Sequence, residues 1–110
     1  MIDVDKAQDE PLAVLLVAQT GDRLQDDREV VQEISSLVKT AGMNPVDSVV
    51  LRRYEPAPKY GMGTGKAEDI FRIAQARGAA ALVFEFDITP TQQRNWEQLT
   101  EMLCFDRQEV

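Results

Sequence analysis

The 110-residue sequence predicts a small three-layer α/β domain whose four-stranded, mainly parallel sheet is built in the order strand, helix, strand, helix, strand, helix, strand. Three observations predict it. Leu12-Ala13-Val14-Leu15-Leu16-Val17-Ala18 is a continuous apolar run of strand length, as expected for a strand covered on both faces. Segments with apolar residues at helical spacing alternate with shorter apolar runs, which calls for right-handed crossovers onto a parallel sheet. A chain of this length with 44% hydrophobic residues has the material for one core and not for two.

Residues 1–10 are polar and acidic without periodicity, and Pro11 closes them, so they read as a flexible lead-in to a domain over residues 11–110. After the first strand comes a polar turn through Gly21 and Asp22. Val30, Ile34, Leu37, Val38 and Ala41 then mark the inner face of a first helix, which Gly42 stops. Val46 to Leu51 reads as the second strand. Glu55-Pro56-Ala57-Pro58 forbids regular structure and leads into a glycine-rich turn. From Lys66 the residues Ala67, Ile70, Phe71 and Ala74 face inward on a second helix that ends at Gly78, and Ala81-Leu82-Val83-Phe84 is the third strand. Thr89 suits an N-cap, with Pro90 at the first helical position and Gln92 completing a capping box. Trp96, Leu99 and Met102 or Leu103 supply the inner face of this third helix, and Leu103-Cys104-Phe105 a short last strand.

Composition narrows the function. The formal charge of −7 argues against nonspecific nucleic-acid binding, yet it is unevenly spread. Residues 1–33 hold nine acids and three bases, whereas residues 39–77 hold seven bases and four acids. The middle therefore either faces a polyanion or forms a solvated helix face. The single cysteine, Cys104, has no disulfide partner within the chain and reads as a small buried hydrophobe, which suits a reducing cytoplasm. No run is long enough to span a bilayer, and Met1 to Lys6 lacks the grammar of a signal peptide, so no membrane association is expected. Without histidine and with one cysteine the ligands of a structural zinc site are missing, and no carboxylate spacing marks a magnesium site.

The glycine turn, Tyr60-Gly61-Met62-Gly63-Thr64-Gly65-Lys66, sets backbone N–H groups beside a lysine at a helix start, a common way to hold an anion. A Walker A loop is excluded, because Tyr60 stands where its first glycine belongs and Ala67 where its hydroxyl belongs. The dinucleotide fingerprint also fails, since a run begun at Gly61 and Gly63 ends on Lys66. Two readings remain: anion or nucleotide binding without hydrolysis, and a tight strand-to-helix turn with a surface lysine. In the second motif, Thr89-Pro90-Thr91-Gln92-Gln93-Arg94-Asn95, helix capping leaves Gln93, Arg94 and Asn95 unexplained, and these can donate hydrogen bonds to phosphate, sugar or a partner domain. No histidine base, serine elbow or carboxylate pair points to catalysis.

Taken together, Met62 to Ile70, Val83-Phe84-Glu85, Ile88 to Glu97 and Asp106-Arg107 resemble the N-terminal domain of the HflX family of ribosome-associated GTPases over roughly Leu12 to Arg107. The joint occurrence of the Gly-x-Gly-Lys turn, the Thr-Pro-x-Gln-Gln-Arg-Asn run and the Asp-Arg pair is specific, and either short motif alone is weak. By position, Gly63, Gly65 and Lys66 match the family's turn, Gln92, Gln93, Arg94 and Asn95 its polar helix start, and Asp106 and Arg107 its Asp-Arg motif. Three departures stand out: Phe86 for an acidic or amide residue, Trp96 for a leucine, and Gln108 for a threonine.

The resemblance implies a noncatalytic domain that contributes to binding of the large ribosomal subunit, with Arg52, Arg53, Lys59 and Lys66 near rRNA phosphate. It implies coupling to a helical hairpin and a GTPase domain, where GTP and Mg²⁺ would bind; no cofactor is expected on this chain itself. The alternative is a regulatory module that binds ATP or GTP through Gly61, Gly63, Thr64, Gly65 and Lys66. A third reading is a docking domain for the hairpin and GTPase domain, which in isolation would expose apolar surface and self-associate. Since Val110 precedes any hairpin, the chain is expected to be either the N-terminal piece of a longer protein or a stand-alone relative.

Overall fold

The structure, a computed structural model, describes residues 11–20, 26–52 and 56–110. The lead-in over residues 1–10, the turn at Gly21 and Asp22, and Arg53 lie outside the described residues. In chain order the elements are β1 (Leu12–Gln19), α1 (Asp27–Thr40), β2 (Met43–Leu51), α2 (Thr64–Ala76), β3 (Ala81–Phe84), α3 (Pro90–Thr100) and β4 (Leu103–Asp106). The sheet runs β2-β1-β3-β4 and all three pairings are parallel.

Strand periodicity divides the core in two. Val14 and Leu16 point to one face, where they meet Ile34 and Val38 of α1 together with Ala81 and Val83. Leu15 and Val17 point to the other, against Ala67, Ile70 and Ala74 of α2 and Trp96 of α3, with Leu82 and Phe84 beside them. Val14 to Ala18 are all essentially inaccessible, which accounts for the unbroken apolar run: the central strand has no solvent face to give to a polar residue. Each fully buried aliphatic side chain contributes about 1.5–3 kcal/mol of transfer free energy.

β2 begins at Met43, three residues before the apolar run that predicts it, because Met43-Asn44-Pro45 pair with Leu12-Ala13-Val14. A proline fits there because β2 is an edge strand whose outer donors have no ladder to complete. The register then shifts between Val14 and Leu15, whose partners are Pro45 and Asp47, so Val46 is the extra residue.

The helix ends follow their signals. Asp26 caps α1 by accepting from the Arg28 N–H, Gly42 and Gly78 adopt φ of +87° and +71° after α1 and α2, and Thr89 and Gln92 form the full capping box of α3. Three expected inner-face residues are corrected. Ala41 is exposed and is the C-cap of α1, beyond its buried stripe. Leu37 is 42% exposed, because the buried stripe of α1 is Val30, Ile34 and Val38. Leu103 is 52% exposed and belongs to β4, not α3. The helix stops at Thr100 because Glu101 turns left-handed at φ 54°, and Thr100 itself is buried, its hydroxyl donating to the Trp96 carbonyl at 2.8 Å.

With α1 on one face and α2 and α3 on the other, the strand order reverses at β1. The crevice between the carboxyl ends of β1 and β3 is therefore the topological switch point, where open α/β sheets place their ligands. Among the described residues no helix is long and apolar enough to cross a membrane.

Candidate functional site

The segment from Pro56 to Gly63 joins β2 to α2 at this end of the sheet. Tyr60 and Met62 are buried on either side of Gly61, which takes φ +83° and donates its N–H to the Ala57 carbonyl at 2.9 Å. Two apolar anchors flanking a left-handed residue force the tight reversal, and only glycine adopts that conformation without strain. Gly63 is the N-cap of α2 but offers no side-chain acceptor, and no acid occupies the first turn. Thr64, Gly65 and Lys66 therefore present first-turn N–H groups that the helix itself leaves unsatisfied, at its positive end. A Cβ built on Gly63 or Gly65 would meet nothing within 4 Å. The fold makes no demand for glycine at either position, unlike Gly61, and both are exposed.

The first two turns of α3 fasten this loop. The Gln92 side-chain amide donates to the Pro58 carbonyl at 3.3 Å, Asn95 to the Lys59 carbonyl at 2.9 Å, and the Trp96 indole to the Tyr60 carbonyl at 3.0 Å. Three consecutive carbonyls of the loop thus meet three side chains spaced i, i+3 and i+4, which lie on one helix face. Gln92 is held in turn by the Thr89 N–H, which donates to its Oε1 at 3.0 Å. Aromatic packing backs the arrangement: Tyr60 meets Trp96 edge-on at 5.3 Å, Trp96 meets Phe84 at 5.0 Å, and Phe84 meets Phe86 at 5.5 Å.

Gln93 faces the other way. Its amide donates to the Cys104 carbonyl at 2.6 Å and to the Glu109 carboxylate at 3.0 Å. Asp106 accepts from the N–H groups of Gln108 and Glu109 at 3.0 and 3.2 Å, closing a turn directly after β4, and Arg107 comes within 3.9 Å of the buried Glu85 carboxylate at the end of β3. Glu85 also accepts from the Gln19 N–H at 3.2 Å. The Asp-Arg pair therefore shapes the C-terminal turn and ties it to β3.

Beside the loop lies an open cleft of about 670 Å³ at the switch point, bordered by Gln19, Pro58, Gly61, Phe86, Asp87 and Gln92. It does not reach the α2 start, and its one charged residue among the described ones is acidic, so the cleft and the positive helix end are chemically separate.

The basic residues divide by pairing. Arg52 is bound to Asp27 at 2.7 Å, Arg77 to Asp47 at 2.9 Å, and Arg72 to Asp69. Arg28, Lys39, Lys59, Lys66 and Arg94 are exposed and form no ion pair among the described residues; the last three lie at the loop, the α2 start and the α3 start. The Lys59 ammonium sits 5.5 Å over the Tyr60 ring. Of the predicted set Arg52, Arg53 and Lys59, Arg52 is paired with Asp27 of α1, Arg53 lies outside the described residues, and Lys59 is exposed without an ion pair among the described residues. Cys104 is buried, and desolvation pushes its thiol up to about 12, with the Thr100 hydroxyl pulling weakly the other way. A thiol so placed is not a nucleophile at neutral pH.

The clamp of Gln92, Asn95 and Trp96 onto the loop and the role of Glu85 are not evident from motif reading, which takes Gln92 to Asn95 as four neighbours. The i, i+3, i+4 spacing of the three clamp residues is the signal that groups them.

The profile of the family described as GTP-binding GTPase N-terminal matches residues 28–110. Among curated proteins the chain is similar to the GTPase HflX of Spirochaeta thermophila, 36% identical over 96% of this chain and 25% of that protein, and to the GTPase HflX of Escherichia coli, 40% identical over 74% and 19%. It is also similar to the GTPase HflX of Akkermansia muciniphila, 29% identical over 77% of this chain and 20% of that protein. The chain spans about a quarter or less of the length of these relatives. Among solved structures, a crystal structure of a mutation variant of SsGBP superposes with a TM-score of 0.65 at 15% identity, covering 88% of this chain and 30% of that one, which shows a shared fold.

Proposed function

The chain belongs to the HflX family as the N-terminal domain of its GTPases, and from that premise we propose that it is a noncatalytic binding domain of a cytoplasmic protein. In this reading it contributes to attachment to the large ribosomal subunit and couples that attachment to a GTPase domain. The observation that carries it is the set of exposed cations Lys59, Lys66 and Arg94, the second of them in the first turn of a helix whose first N–H groups have no acceptor in the helix. Cations without carboxylate partners among the described residues, one of them beside bare backbone donors, suit phosphate of an RNA backbone, and the attraction needs no base reading. The acidic remainder of the chain keeps such binding confined to this end.

Co-sedimentation with purified large subunits over a salt series tests it. The complex should weaken steeply with salt, and the double change Lys66→Ala and Arg94→Ala should weaken it further and flatten the salt dependence by about two phosphate contacts. Binding that ignores both salt and the double change would remove the reading.

A second reading, a nucleotide-binding regulatory module, draws on Gly63 and Gly65, where open space lies over the first turn of α2 and the backbone conformation does not require glycine. Calorimetry with ATP and GTP separates it from the first: saturable heat lost on Lys66→Ala supports it, and no heat at millimolar ligand ends it.

A further inference from the structure

The three cations of the proposed surface belong to three different pieces of backbone: Lys59 to the β2–α2 loop, Lys66 to the start of α2 and Arg94 to α3. A surface that meets several phosphates at once needs such charges at fixed separations, yet a loop containing Pro58 and Gly61 has no ladder of its own to fix it. Of the three bonds that tie loop to helix, the one to the Lys59 carbonyl comes from Asn95, the immediate neighbour of Arg94. One uncharged residue therefore joins the backbone of Lys59 directly to the helix turn that carries Arg94. Gln92 adds the adjoining carbonyl of Pro58 and touches the space above Gly61, where a Cβ would meet its side chain at 3.8 Å. Tyr60 completes the link, because its ring lies under the Lys59 ammonium and its carbonyl is held by Trp96.

We infer that Asn95 is a positioning residue: it contacts no phosphate itself but holds Lys59, and the loop running on to Lys66, in register with Arg94, so that the three cations form one composite surface for a phosphate polymer. This rests on the reading that this end of the domain meets RNA phosphate. Gln92 and Trp96 act in the same direction but carry further duties, the first in the α3 cap and the second in the core, so Asn95 isolates the effect.

The number of phosphates engaged is read from the slope of log affinity against log salt, which a neutral side chain cannot change by its own charge. The affinity of the 110-residue chain for large ribosomal subunits is measured over a salt series for the wild type, Asn95→Ala, Gln98→Ala on the exposed side of the same helix, and the double variant Lys66→Ala with Arg94→Ala. Folding is followed by Trp96 fluorescence, and hydrogen exchange is read at residues 59–66. Asn95→Ala should stay folded, exchange faster across residues 59–66, lose about fivefold in affinity and give a slope shallower by about one, while Gln98→Ala matches the wild type. If Asn95→Ala disrupts the fold, Asn95→Gln takes its place, and its retained amide donor should restore at least half of the wild-type slope. A folded Asn95→Ala with the wild-type slope, beside a double variant that binds weakly, overturns the positioning role and leaves the RNA reading standing. A double variant that binds like the wild type overturns that reading, and the positioning role with it.

Discussion

The Trp96 indole N–H donates to the carbonyl of Tyr60 at 3.0 Å while the two rings meet edge-on at 5.3 Å, so one side chain holds both the backbone and the ring of its partner. Trp96 is completely buried. Replacing it by leucine keeps an apolar body but removes the donor, leaving the Tyr60 carbonyl without this bond, and opens a cavity against Phe84. The expected cost is about 2–4 kcal/mol. Urea unfolding of Trp96→Leu should show a lower midpoint with an unchanged slope, and a midpoint within experimental error of wild type would show that the clamp contributes nothing to stability.

The glycines of the turn should respond in opposite directions. Gly61→Ala places a Cβ on a residue at φ +83° and should destabilise by about 1–2 kcal/mol. Gly65→Ala fills open space within α2, where alanine is the better helix former, and should stabilise by about 0.5–1 kcal/mol. A thermal melt of each variant checks the signs. If Gly65→Ala raises the melting temperature and at the same time weakens subunit or nucleotide binding, the bare backbone at position 65 serves a ligand and not the fold.

Thr89→Ala removes the acceptor that Gln92 N–H uses at 3.1 Å, while the Gln92 Oε1 to Thr89 N–H bond remains available. A loss of about 1 kcal/mol is expected, which corresponds to roughly 4–8 °C in melting temperature for a domain of this size. Because Gln92 also holds the Pro58 carbonyl, exchange of the amide protons of residues 59–62 should quicken as well. Unchanged exchange there would separate the helix cap from the loop.

Cys104 supplies a pH prediction whose sign is fixed by burial. Its thiol is raised from 9.0 to about 12 in the folded chain, so between these values the unfolded chain releases a proton that the folded chain keeps. The folded state then binds more protons, and stability must fall as pH rises through that interval, being fully present below pH 9. Stability measured from pH 8 to 11 should decline less in Cys104→Ala than in the wild type. A thiol-reactive disulfide reagent should label the native chain at pH 8 far more slowly than the urea-unfolded chain, and equal rates would refute the burial argument.

The layer architecture was legible because it rests on periodicity and capping: Leu12 to Ala18 carries the signature of a strand covered on both faces, and Thr89-Pro90-Thr91-Gln92 that of a helix start. Leu37 and Leu103 misled because one apolar residue near the border of a helical stripe carries little directional information. Where α3 ends was set by a left-handed glutamate, Glu101, for which local propensity gives no signal. The candidate site could be named from residue types but its internal partners could not. Gln92 and Asn95 stand next to Arg94 in sequence, yet their bonds run to carbonyls 34 and 36 residues earlier, and such pairings exist only after the sheet has brought β2 and β3 to either side of β1.

Distance along the chain also fixes an order of assembly. During synthesis β1, α1 and β2 emerge first and can pair at once, whereas the loop after β2 must wait for α3 before Pro58, Lys59 and Tyr60 find their donors. The surface proposed to meet phosphate is therefore completed after the first half of the sheet, by residues translated some 36 positions later than the backbone they hold. A nascent chain halted between Lys66 and Thr89 carries two of the three cations but not the helix that holds the Lys59 backbone, so the arrangement proposed for a polyanion arises only once α3 has been made.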